Sequence, residues 1–160
     1  MDTRRLIYLH GSDSNSNSGK ARLFRERFPG MLTPDFTGTF DERMAQLYSI
    51  LSNTADWTLI GSSYGGLMGT IFTLEHATQV RKLILLAPAL TLEPLASRAD
   101  LQPVSVPTHL IHGTLDTVVP LEPVRAVAQK LFTGLTIHIV EDDHRLQKSV
   151  NKIDWKTILA

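Results

Sequence analysis

Apolar residues along the chain gather in six short runs, at positions 6–9, 31–33, 57–60, 82–87, 108–111 and 135–140. Each run is nearly continuous rather than alternating, which predicts strands covered on both faces, as in a parallel sheet. Helical spacing of apolar positions fills the intervals, at 20–28, 41–51, 67–76, 121–132 and 146–159. Strand and helix therefore alternate, and that order predicts right-handed crossover units. The expected architecture is an α/β domain with a doubly wound, mainly parallel six-stranded sheet and helices on both faces. Such sheets bind ligands outside the carboxyl ends of their strands, so the loops that follow strands should hold the chemistry. No repeat or linker interrupts the pattern. The one biased segment, 12–20, is rich in Ser, Asn and Gly directly after the first strand, and is expected to be a mobile loop at that edge.

Composition narrows the partners. A chain of 160 residues is the length of one domain, 1–160, and buries roughly two-thirds of its unfolded surface. Sixteen basic residues balance sixteen acidic ones, with no clustered Lys/Arg run to neutralise a row of phosphates, so nucleic acid is not an expected partner. The same neutrality leaves only local groups to select charged substrates. The longest apolar stretch, 83–92, is broken by Pro88 and falls far short of the ~20 residues that cross a bilayer, so no membrane association is expected. Four apolar residues after Arg5 are too few for a secretory signal, which makes the cytoplasm the expected location. With no cysteine, disulfides, thiol nucleophiles and thiolate metal sites are excluded.

Candidate chemistry starts at Gly61-Ser62-Ser63-Tyr64-Gly65, between the third apolar run and the third helical stretch. A strand that reverses into a helix over so few residues strains its central residue and lifts that side chain above the sheet. The flanking glycines leave room, and the helix start aims free N–H groups at whatever the side chain attacks. Ser63 is the candidate nucleophile, with Ser62 expected to point away. A partner acid and a histidine should then follow later strands in that chain order. Asp116 follows the run 108–111 and His144 follows the run 135–140. Asp116 has a competing role as a cap for the helix near Leu121, in which case Asp142 or Asp143 would be the partner acid. Of the other histidines, His76 sits at a helix end. His109 and His138 fall inside strands as packed rings, while His10 and His112 precede glycines and hold loops. His10, His112, His144 and Asp116 converge at one edge in a donor set that suits zinc, but no local ligand motif such as H-E-x-x-H is present, so neither metal nor cofactor is expected. A phosphate cradle is excluded as well, because Gly19-Lys20 is followed by Ala21.

Taken together, Leu9-His10-Gly11-Ser12 with its Ser/Asn loop and Lys20-Ala21, then Gly61 to Gly66, His112-Gly113-Thr114-Leu115-Asp116 and Asp143-His144-Arg145-Leu146 resemble a small α/β-hydrolase, most of all the compact bacterial esterases of the YqiA type. The histidine loop also resembles that of thioesterases and dienelactone-type hydrolases. The resemblance implies a minimal hydrolase fold that begins at the family's third strand, without a large cap between Pro88 and Pro107, and hence an open site. It further implies a serine hydrolase for small carboxylic esters or thioesters that works through an acyl-enzyme. Ser63 would attack, His144 would shuttle the proton, Asp116 would orient the imidazole, and the backbone N–H groups of Tyr64 and Ser12 would hold the oxyanion. His10, Asp13, Tyr64 and the segment 89–101 are expected around the pocket. The alternative is a binding or signalling protein that keeps the fold without catalysis.

Overall fold

The structure, a computed structural model, describes residues 2–160. Five of the six apolar runs become β1 (Leu6–Leu9), β2 (Trp57–Ser62), β3 (Val80–Leu86), β4 (Thr108–Gly113) and β5 (Leu135–Val140), all parallel and adjacent in that order. The sixth expected strand, 31–33, is not one. Leu32 bridges Ile7 through a single pair of backbone bonds of 2.9 Å, Tyr8 N–H to Leu32 O and Leu32 N–H to Leu6 O. Pairing stops there because Gly30, at φ 95°, turns the chain in and Pro34 offers no N–H to carry the ladder on.

Continuous apolar runs are explained by the two cores they serve. Ile7, Leu9, Leu59, Leu83, Leu85 and Leu110 point to one face, and Leu6, Tyr8, Ile60, Ile84, Leu86 and Ile111 to the other. The first face is covered by α2 (Phe40–Leu51), α3 (Tyr64–Glu75) and α4 (Leu121–Leu131), and the second by α1 (Gly19–Arg27), α5 (Gln147–Lys152) and α6 (Trp155–Leu159). Local signals set the helix starts. Thr39 and Glu42 close a reciprocal capping box on α2, and the Ser18 hydroxyl accepts the Ala21 N–H at 3.2 Å to begin α1. The single helix expected over 146–159 is instead two short ones, because the helix ends at Ile153 and Asp154 starts the next by accepting the Thr157 N–H. Among the described residues no helix is long and apolar enough to cross a membrane.

β5 forms one edge of the sheet, and there His109 Nδ1 and His138 Nε2 share a hydrogen bond of 3.0 Å between stacked rings. Burial, then the neighbouring His138 and Lys82 charges, push the His109 imidazole below its ordinary value of 6.5. A base held below its unfolded value contributes stability that is present above about pH 6.5 and is lost as the pH falls further. The urea midpoint should therefore decline on acidification from neutrality, and His109→Gln should make that decline shallower.

Candidate active site

β2 delivers Ser63 to the carboxyl edge in a conformation that few residues adopt. Its φ is 54° and ψ −113°, and α3 begins at the very next residue. A backbone so placed costs on the order of 1–3 kcal/mol and persists only where its surroundings fix it. Here the Ser63 N–H donates to Leu86 O at 3.0 Å, while its carbonyl accepts from the N–H groups of Gly66 at 3.0 Å and Ala89 at 2.9 Å. Crowding explains the flanking glycines. A Cβ on Gly61 would lie 2.5 Å from the Gly65 carbonyl oxygen, and one on Gly65 would collide with the carbonyl oxygen of Leu9. Neither obstacle is a side-chain end that can swing aside. Gly65→Ala should thus destabilise the fold by roughly 3 kcal/mol or more, read as a lowered urea midpoint.

Two later loops meet Ser63. Asp116 follows β4, and its Oδ1 accepts the N–H groups of Val118 at 2.9 Å and Val119 at 2.8 Å. Its Oδ2 lies 2.7 Å from His144 Nδ1, and His144 Nε2 lies 3.0 Å from the Ser63 hydroxyl. With the carboxylate accepting at Nδ1, the proton sits on that nitrogen and the Nε2 lone pair faces the serine. One continuous hydrogen-bonded path thus joins a fully buried carboxylate, a mostly buried imidazole and a hydroxyl. Asp116 does not cap α4, whose start at Pro120 has no side-chain cap. The other two acids are committed elsewhere. Burial opposes the Asp142 charge, yet hydrogen bonds from the Ser149 N–H and hydroxyl and from the Asp143 N–H hold that carboxyl below its ordinary range. Asp143 accepts the Arg145 N–H.

Two residues beyond the catalytic set brace this arrangement, His112 as the loop-holding ring that the sequence predicts and Arg43 with no such expectation. His112 donates from Nε2 to Val119 O at 2.8 Å and sits 3.4 Å from Asp116 Oδ2, fixing the loop that carries the acid. Arg43, only 8% exposed, donates from Nε to Gly38 O at 3.1 Å and from Nη2 to Ser12 O at 3.3 Å, and stacks over the Tyr64 ring at 5.7 Å. It therefore touches both residues whose N–H groups are the expected oxyanion donors. Its sequence signal is position, since Arg43 is spaced by four from Leu47 and by eight from Leu51 on the buried side of α2.

A cavity of about 1010 Å³ opens over Ser63 and His144, with Ser12, Asp13, Tyr64, Ala89 and Leu92 among its walls. His10, expected there, is not a wall residue. It is buried, with Nδ1 donating to Gly11 O at 2.7 Å and Nε2 accepting the Phe36 N–H at 2.9 Å, so the ring holds its loop, the other role the sequence predicts for it. Ser62 departs from expectation in the other direction: it lines the cavity on the side of Tyr8, whose buried hydroxyl is pushed up to about 12 by burial, with nearby Ser62 and Ser18 hydroxyls opposing. Within the segment 12–20, Asp35 accepts from the Ser16 N–H at 2.6 Å and from its hydroxyl at 3.0 Å, and residues 19 and 20 already belong to α1.

The family model for phospholipases and carboxylesterases matches residues 33–154, which hold Ser63, Asp116 and His144. The chain belongs to that family of α/β-hydrolases. Its fold is shared with solved structures. An α/β-superfamily protein from Xanthomonas campestris is 26% identical, with 92% of this chain and 90% of that one covered at a TM-score of 0.76. Est1E from Butyrivibrio proteoclasticus is 17% identical, covering 96% and 86% at 0.78. An α/β serine hydrolase homologue from Coxiella burnetii is 19% identical, covering 92% and 79% at 0.74. No curated protein sequence matches the chain.

Proposed function

We propose that the protein is a serine hydrolase that cleaves carboxylic ester or thioester bonds of small substrates. The observation that carries this reading is the unbroken path from Asp116 Oδ2 through His144 to the Ser63 hydroxyl. As the Ser63 oxygen attacks an acyl carbon, His144 Nε2 takes its proton, and Asp116 stabilises the imidazolium that results. The tetrahedral oxygen is held by the N–H groups of Tyr64 and Ser12, neither of which donates a hydrogen bond elsewhere among the described residues. Each such donor typically lowers the barrier by ~3 kcal/mol. His144 then protonates the departing alcohol or thiol, leaving an acyl group on Ser63. Water, activated by the same imidazole, releases the acid and restores the hydroxyl.

The walls support a short substrate. Residues 88–107 contribute Ala89, Thr91 and Leu92 to the cavity and no helix that closes over it. Exposed Leu92 and Val118 give one side of the mouth an apolar rim. A panel of p-nitrophenyl esters and acyl thioesters tests the proposal. Acetate and butyrate esters should turn over with saturation, faster than palmitate. Absence of turnover across the panel would defeat it.

A further inference from the structure

The cavity that holds Ser63 is also lined by Lys20 and Arg22 of α1 and by Arg145, the neighbour of His144. None of the three forms a salt bridge among the described residues. Lys20 is the least comfortable of them. It is half-buried at the second position of α1, where the helix dipole already presents positive charge and the first turn contains no acid. Burial first, and then the Arg145 charge, push its amino group below the ordinary value of 10.5 against the opposing pull of Asp143 and Asp142. Those two carboxylates are engaged as described with Ser149 and with backbone N–H groups. Asp13 and Glu26 also line the cavity, but both are exposed and neither pairs with a cation. A half-buried lysine repelled by a second cation, with no carboxylate in ion-pair contact with either, gains a direct partner when an anion arrives at the two of them.

We propose that the side of the cavity between α1 and α5 is a subsite for the charged end of an anionic substrate, a carboxylate or phosphate held by Lys20 with Arg145 several atoms from the scissile bond. The proposal rests on the reading of Ser63 as nucleophile and adds a substrate class to it. The molecule's zero net charge leaves such selection to local groups.

The test compares p-nitrophenyl esters of six-carbon acyl chains ending in a methyl ester, a carboxylate or a phosphate, and a second series with the same end groups on the alcohol of a butyrate ester. In at least one series a charged ester should exceed its neutral partner in kcat/KM by about tenfold, and the better charged group identifies which anion is meant. The charged-to-neutral ratio should fall to near one in Lys20→Met, return in Lys20→Arg and shrink as salt is raised. A wild-type ratio below about threefold in both series, or a ratio that survives Lys20→Met, overturns the subsite while leaving the hydrolase reading intact. If no ester, neutral ones included, is cleaved faster than by Ser63→Ala, the hydrolase reading falls and the subsite with it.

Discussion

Replacing Ser63 by alanine should lower kcat for p-nitrophenyl butyrate by about 10⁵-fold while leaving the protein folded. The size follows from the role: without the hydroxyl there is no acyl-enzyme, and only the oxyanion donors and substrate binding remain to accelerate attack by water. Stability should move little, because alanine inherits the same strained backbone at φ 54° and loses only the 3.0 Å bond to His144. Ser63→Gly is the informative companion. It removes the hydroxyl and relieves the positive φ, so it should be as inactive as the alanine variant yet unfold at a higher urea concentration.

Asp116→Asn should cost about 10⁴-fold in kcat at neutral pH with little change in the structure around it. The asparagine oxygen can keep the N–H groups of Val118 and Val119, which now bind Oδ1. Its amide then presents N–H rather than an acceptor to His144 Nδ1. That reverses the tautomer and turns Nε2 into a donor, so it no longer accepts the Ser63 proton. Because the two residues act as one unit, Ser63→Ala in the Asp116→Asn background should lower activity far less than it does in the wild type, which a double-mutant cycle reads directly.

Much of this arrangement was legible in the sequence because it depends on local rules. Strand-like runs followed by Ser63, Asp116 and His144 fall at one edge of any parallel sheet, and the glycines around Ser63 mark a backbone with no space for a Cβ. What was not legible depended on tertiary partners. The run 31–33 has strand composition, yet it lies between Gly30 and Pro34 and pairs through one residue only. His10 stands at the correct edge, but its ring is drawn inward by the Phe36 N–H and Gly11 O, groups that no spacing rule connects to it. Ser62 was expected to face away, and the second half of the same cavity, under Tyr8 and α1, was invisible until α1 was in place. The spacing of Arg43 from Leu47 and Leu51 puts it on the buried side of α2, but only the fold reveals that its guanidinium ties the Ser12 loop to the Gly38 turn.

The central claim is that the buried carboxylate and the imidazole make the Ser63 hydroxyl a nucleophile. Labelling with a fluorophosphonate, followed by intact-mass and peptide mapping, tests this most directly. The account predicts one adduct per chain, on the peptide that carries Ser63, formed rapidly by the wild type, far more slowly by Asp116→Asn and not at all by Ser63→Ala. An unlabelled Ser63, an adduct at another residue, or equal labelling rates for wild type and Asp116→Asn would contradict it.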